Sequence, residues 1–173
     1  MVSKQELMLA EMLKYEGWVE GKNNDNPFGK YFGLNNNPYC SLAISYFAES
    51  VGITFFKNIK DKTGKYYLTG CTNRYCAYVP SLYNYAKRLG ILKTDPNTFK
   101  KGDVLLFNMN GVYPDGIKWS DHTGLFISYN TKTKKVETIE ANTSSTNKLT
   151  NDGGGIFRKY RSMNCINGAF SVG

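Results

Sequence analysis

The sequence predicts an α+β fold in which N-terminal helices pack on a C-terminal antiparallel β-sheet. Three observations carry this expectation. Apolar residues recur at helical spacing only in segments before Gly90, and β-type runs separated by turn signals begin only after Gly102. The 173 residues suffice for one sizeable core, and no repeat, linker or low-complexity tract divides them, so residues 1–173 read as a single domain.

Each element has its own local cause. Ser3-Lys4-Gln5-Glu6 is a capping-box pattern, and Leu7, Ala10 and Leu13 follow at helical spacing, which predicts a first helix from Lys4 to about Tyr15. Gly21 to Pro38 is rich in Asn, Gly and aromatic residues without a sustained period and reads as a long ordered loop. From Cys40 the apolar positions Ala43, Ile44, Phe47, Ala48 and Val51 line one helical face, and Gly52 supplies a stop. Ile53 to Leu68, Lys-rich around Gly64, reads as surface loop or short irregular strands. Pro80-Ser81 opens a third helix through about Leu89, with Gly90 as its C-terminal signal, and this helix is expected to cover the sheet. The predicted strands are Asp103 to Phe107, His122 to Ser128, Lys135 to Glu140 and Gly155 to Tyr160, with a short strand and a frayed end beyond Met163.

Composition narrows the function classes. Hydrophobic residues at 41% and charged residues at 21% are a globular mixture, which excludes a disordered chain. Leu7 to Leu13 is interrupted by Glu11 and preceded by Gln5-Glu6, so it fails as the apolar region of a signal peptide. No apolar run approaches the ~18 residues of a membrane span. The expectation is a monomer made in a cytoplasm, with its four cysteines as free thiols. A net charge of +8 favours an anionic partner. Nucleic acid is disfavoured, because there is no zinc finger or basic helix and the densest basic run, Lys132-Thr133-Lys134-Lys135, reads as a solvated turn. An anionic bacterial wall fits the charge equally well, and the plain alternative is that the charge serves solubility alone.

The chemistry centres on the chain's single histidine, His122, in Trp119-Ser120-Asp121-His122-Thr123-Gly124. Imidazole exchanges a proton near neutral pH without special tuning, so His122 is the natural general base. Its nucleophile is expected at a helix start, where the helix dipole and an approaching imidazolium both favour a thiolate; Cys40 occupies such a position. The strands from His122 and Lys135 are joined by the short polar segment Asn130 to Lys134 and form a hairpin. Pairing Ser128 with Val136 and Phe126 with Thr138 sets Gly124 against Glu140 and His122 against Asn142 on one face. Leu125, Ile127, Ile139 and Ala141 then lie on the core face. A one-residue slip would undo this placement. Glu140, then Asn142, are the candidate orienters of the imidazole. Asp121 ranks lower because it points to the other face of the strand.

In this arrangement a Cys40 thiolate attacks a carbonyl, His122 protonates the leaving amine, and the Cys40 backbone N–H is a natural oxyanion donor. The plainer readings are a core cysteine, a strand-end histidine bonded to backbone, a solvated Glu140 and an Asn142 that caps a turn. Cys71, Cys76 and Cys165 match no structural zinc spacing, so no metal site is expected.

These ordered motifs resemble a known family. Pro38-Tyr39-Cys40 with the helix through Gly52, then Gly102-Asp103-Val104-Leu105-Leu106-Phe107, then Asp121-His122-Thr123-Gly124, then Glu140-Ala141-Asn142 look like the CHAP domain, the cysteine- and histidine-dependent amidohydrolase/peptidase of bacterial wall lysins. The resemblance spans most of the chain, including the Lys22 to Gly33 loop and the Tyr75 to Pro80 approach to the third helix. It implies a papain-like α+β fold and a peptidoglycan hydrolase, either an N-acetylmuramoyl-L-alanine amidase or an endopeptidase. Cys40 would be its nucleophile, His122 its base, and Glu140 and Asn142 its supporting polar residues. Many members carry Trp where this chain has Tyr39. Some bind calcium through an acidic loop before the nucleophile; here only Asp25 stands among several Asn, too few hard ligands, so no cofactor is expected. A phage endolysin stored in the host cytoplasm and released to the wall accommodates the missing signal peptide. The competing class is a non-catalytic basic module that adheres to bacterial walls.

Overall fold

The computed structural model describes residues 2–54, 56, 68–111, 120–146 and 154–172. The described chain is α+β: α1 Lys4–Leu13, α2 Pro27–Tyr31, α3 Cys40–Ser50 and α4 Val79–Arg88 precede β1 Val104–Phe107, β2 His122–Asn130, β3 Lys135–Thr143, β4 Gly155–Ser162 and β5 Ile166–Phe170. The five strands form one antiparallel sheet in the order β4-β3-β2-β1-β5.

The capping box forms as expected at α1: Glu6 N–H donates to Ser3 Oγ, and Ser3 N–H donates to Glu6 Oε2. The helix ends at Leu13, short of Tyr15, because the chain turns at Gly17 (φ 88) and bonds Gly17 N–H to Ile156 O beside β4. That turn sets Tyr15 and Trp18 against Phe28. The Gly21 to Pro38 loop contains a helix that the aperiodic sequence concealed: Asn26 caps α2 by accepting from Gly29 N–H at 2.6 Å, and Pro27 opens it. Phe28, fully buried, then meets Tyr39, Tyr46 and Phe47, and so fastens this segment to the helix that begins at Cys40.

Helix α3 is buried around most of its circumference: Leu42, Ala43, Ile44 and Ala48 are inaccessible to solvent. It packs between the other helices and the sheet face formed by Val104, Leu106, Leu125, Ile139, Ala141, Ile156 and Phe170. The opposite sheet face carries a smaller cluster of Leu105, Phe107, Phe126, Val136 and Ala169 under Phe99. The expected core side of the hairpin is therefore in place, with Ile127 only partly buried. The expectation for Ile53 to Leu68 lies largely outside the described residues.

The hairpin register requires one correction. Gly124 faces Glu140 and Phe126 faces Thr138 as expected, but Ser128 faces Glu137, because a bulge at Ile127 adds one residue to β2. A four-residue turn follows, with Asn130 Oδ1 accepting from Lys132 and Thr133 N–H and Lys134 in a left-handed conformation. The bulge falls between the turn and the site, so the slip stops short of Glu140.

The short strand expected beyond Met163 is present as β5, and only the frayed end after it is corrected. β5 pairs with β1, Phe170 is fully buried, and Val172 N–H donates to Gln5 Oε1. The cause is a polar knot around Asp103, itself fully buried. Its carboxylate accepts from Gln5 Nε2 (2.8 Å), Ser171 Oγ (2.7 Å), Lys93 Nζ (2.6 Å) and Lys100 N–H (2.9 Å). Gly102 permits this approach: its φ is 81, and a Cβ there would stand 2.3 Å from Gln5 O. The knot ties α1, the segment before β1 and the C-terminal strand together.

Asp103→Ala is expected to lower unfolding free energy by about 3 kcal/mol, the low end for a broken buried pair because Lys93 can turn to solvent. Urea denaturation followed by circular dichroism measures this; a loss below about 1 kcal/mol would contradict the central role given to Asp103.

Candidate active site

Three segments distant in sequence meet at one end of the sheet: the first residue of α3, the first residue of β2 and the middle of β3. Tyr39 is the N-cap of α3 and lends no side-chain acceptor; the helical ladder starts with Ala43 N–H on Tyr39 O. The first-turn amides, that of Cys40 included, therefore keep the unpaired donor character of a helix start. The Cys40 side chain beside them is 6% exposed.

His122 is paired through its backbone with Phe107 of β1, and its ring tilts against the Phe107 ring at 5.7 Å between centroids. Nε2 lies 2.9 Å from Glu140 Oε2, and the Cys40 side chain is near enough to the imidazole to favour its charged form. With Nε2 committed to the carboxylate, Nδ1 is the nitrogen left for sulfur. The expected trio of Cys40, His122 and Glu140 is thus assembled.

Glycine at position 124 makes the diagonal reach from Glu140 to His122 possible. A Cβ there would stand 2.7 Å from Glu140 Cγ and 2.8 Å from Ile139 O. The Glu140 methylene stem lies over the space that a side chain would fill.

Both Glu140 oxygens are saturated. Oε1 accepts from Thr138 Oγ1 (2.6 Å) and Arg161 Nε (2.9 Å), while Oε2 accepts from Arg161 Nη2 (2.5 Å) and faces His122. Burial alone would raise the pKa of this fully buried acid. The Arg161 guanidinium, then His122, outweigh it and bring the pKa down to about 2. For His122, burial opposes the charged ring, but Cys40 and the hydrogen bond with Glu140 prevail and raise the pKa to about 10.

Sequence reasoning missed Arg161, since the predicted strand stopped at Tyr160. A signal was present: Phe157, Lys159 and Arg161 share a face of β4 opposite Glu140, Thr138 and Val136, so two basic residues at period two flank the strand that carries a buried acid.

Asn142 departs from the expected pairing. The β2–β3 ladder ends at Gly124 and Glu140, and a bulge between Ala141 and Thr143 places Asn142 in a left-handed conformation (φ 55) next to β4. Burial, then the Glu20 carboxylate, raise the pKa of the Tyr39 hydroxyl well above the ordinary value, and the nearby Asn142 backbone opposes that rise. Asn142 thus stands beside the residue preceding Cys40, while the imidazole's own neighbours are Cys40 and Glu140. Asp121 organises the turn before β2, accepting from Met109 and Asn110 N–H.

Asp25 is occupied by Lys30 Nζ (2.7 Å) and Asn35 Nδ2 (2.6 Å). Among the described residues no three metal-ligating side chains converge, and no helix is long and apolar enough to cross a membrane. No protein-family model matches the chain, and no curated protein matches it.

Because His122 is the chain's one histidine, its imidazole gives a single resonance set in a histidine-labelled sample. That resonance is expected to titrate well above pH 6.5 in the wild type and at lower pH in Cys40→Ala, which removes one of the groups favouring the cation. Coincident titrations would contradict the Cys40 contact.

The same pair shapes stability. His122, raised on folding, stabilises fully below about pH 6.5 and loses that contribution as pH climbs toward 10; Glu140, lowered, stabilises fully above about pH 4.5 and loses it as pH falls toward 2. The stability deficit of Glu140→Gln, measured by urea denaturation, should therefore be larger near pH 5.5 than near pH 9.5. A pH-independent deficit would sink this coupling.

Proposed function

We propose that this chain is a cysteine hydrolase of the CHAP type that cleaves an amide bond in the peptide part of peptidoglycan. The observation that carries the reading is the convergence of Cys40, at an uncapped helix start, with an imidazole anchored on its far side by a buried carboxylate. A thiol, a base and an orienting acid in line constitute the machinery of acyl transfer.

In this mechanism His122 holds the proton of Cys40, and the sulfur attacks the amide carbon. The carbonyl π electrons move to oxygen, where the Cys40 N–H is placed to stabilise the charge. Collapse of the intermediate expels the amine, which takes its proton from His122 and leaves a thioester. Water then enters, gives a proton to His122, attacks the thioester and releases the carboxylic acid with the regenerated thiol. Glu140 keeps its charge throughout, because Arg161 and Thr138 hold it and His122 needs a fixed anion to stay in one tautomer and orientation. Asn142 is kept as a supporting polar residue of the site.

The net charge of +8 supports an anionic wall polymer as the partner. The motif resemblance extends the reading to a phage lysin, kept in the host cytoplasm until release and acting as a monomer without a cofactor. The same charge also suits the second reading, a non-catalytic basic module adhering to walls, which has no use for the Cys40, His122 and Glu140 arrangement.

Purified protein should clear a turbid suspension of bacterial walls, and Cys40→Ala should reduce the rate by on the order of 10³-fold or more while keeping its circular dichroism spectrum. Salt-sensitive binding without clearing, unchanged in Cys40→Ala, would establish the wall-binding module instead. Mass spectrometry of the released fragments identifies the bond: sugar freed from its lactyl-linked peptide means amidase, and a new amine on a stem or bridge residue means endopeptidase.

A further inference from the structure

Cys71 and Cys76 form an isolated antiparallel bridge at the neck of a hairpin. Its backbone hydrogen bonds lie outside the pair itself: Ala77 N–H donates to Gly70 O (2.7 Å), and Thr72 N–H to Tyr75 O (2.8 Å). That pattern defines a non-hydrogen-bonded pair, the narrow kind, with Cα atoms about 4.5 Å apart and side chains on the same face. Such a separation falls within the range that a disulfide spans. The two thiols are near enough to influence each other's ionisation, and Cys76 Sγ donates to Tyr78 O at 3.1 Å. Both cysteines are free and buried, at 4% and 0% exposure.

We propose that Cys71 and Cys76 are an oxidative cross-link site, which a low-molecular-weight disulfide converts into an intramolecular disulfide. The hydrolase reading does not enter this proposal. Access comes from a cleft of about 520 Å³ whose walls include Cys71, Gly70, Thr72, Tyr75 and Leu34. Ionised Cys71 sulfur attacks one sulfur of the reagent and releases one thiolate; Cys76 sulfur then attacks Cys71 sulfur, releases the second thiolate and closes the bridge. The reagent gains two electrons and the two protons shed by the cysteines, and its disulfide is reduced to two thiols as the protein's forms. The Cys71 thiol directed at Cys76, then burial, hold the Cys71 pKa above its ordinary value, so the exchange is slow and quickens with alkalinity.

Closure staples the hairpin that braces the helix beginning at Cys40. Cys76 N–H donates to Ser45 Oγ (3.1 Å), whose hydroxyl donates to Ser41 O (2.9 Å) within α3. The cross-link therefore stiffens a support of α3 once the chain leaves a reducing compartment.

Tryptic mapping of the full chain tests the proposal, because Arg74 lies inside the loop. The protein is incubated with oxidised glutathione at mildly alkaline pH, alkylated, and digested. Cleavage then yields Tyr66–Arg74 and Tyr75–Lys87, and the expected product is these two peptides joined by a bond that dithiothreitol cleaves. The melting temperature should rise on the order of 5 °C, and Cys71→Ser should abolish both the linked peptide and the rise. The proposal is overturned if Cys71 and Cys76 still alkylate in denaturant after the treatment, if each ends as a glutathione adduct, or if Cys71→Ser retains the thermal gain.

Discussion

The arrangement depends on a buried carboxylate that is fully satisfied. Glu140 has no exposed side-chain surface, and an anion in that position is tolerable only because Thr138 and Arg161 supply donors and His122 stands at the remaining position. The anchoring decides where the imidazole sits, and the imidazole in turn decides what Cys40 can do. Strands β2, β3 and β4 each contribute one charged member, so the sheet holds the charges in register. Glycine at 124 is the steric condition for this, since any side chain there would collide with the Glu140 stem and the Ile139 carbonyl.

A second buried acid performs a different task with similar means. Asp103 gathers donors from α1, from the segment before β1 and from the C-terminal strand, far from Cys40 in sequence and role. The Gly102-Asp103 step has an architectural meaning: it ties the start of β1 and the C-terminal end to the first helix. Helix α3, buried among helices and sheet, holds Cys40 at its start much as a core residue is held. The aromatic cluster around Phe28 and the hairpin at Cys76 press on that helix from other directions.

Much of this was legible beforehand. The capping box at Ser3, the helix from Cys40, the hairpin after His122 and the pairing of Gly124 with Glu140 each follow from short-range patterns that the fold then respects. The errors also have local causes. Asn26 and Pro27 started a helix too short to show a period, and the bulge at Ile127 absorbed a residue that alternation alone could not detect. The residues after the last strand looked frayed because what holds them, the bond from Val172 to Gln5, comes from the far end of the chain.

The sequence by itself determined the class of fold, the order of the elements and the identity of three meeting residues, Cys40, His122 and Glu140, because periodicity and turn chemistry are properties of neighbours along the chain. Only the tertiary structure decided that Arg161 holds Glu140, that a bulge puts Asn142 in a left-handed conformation past the end of the β2–β3 ladder, and that Cys71 faces Cys76 across a narrow pair. Those relations depend on twist, bulges and the length of side chains reaching across strands, and they take definite values only when the chain has closed on itself.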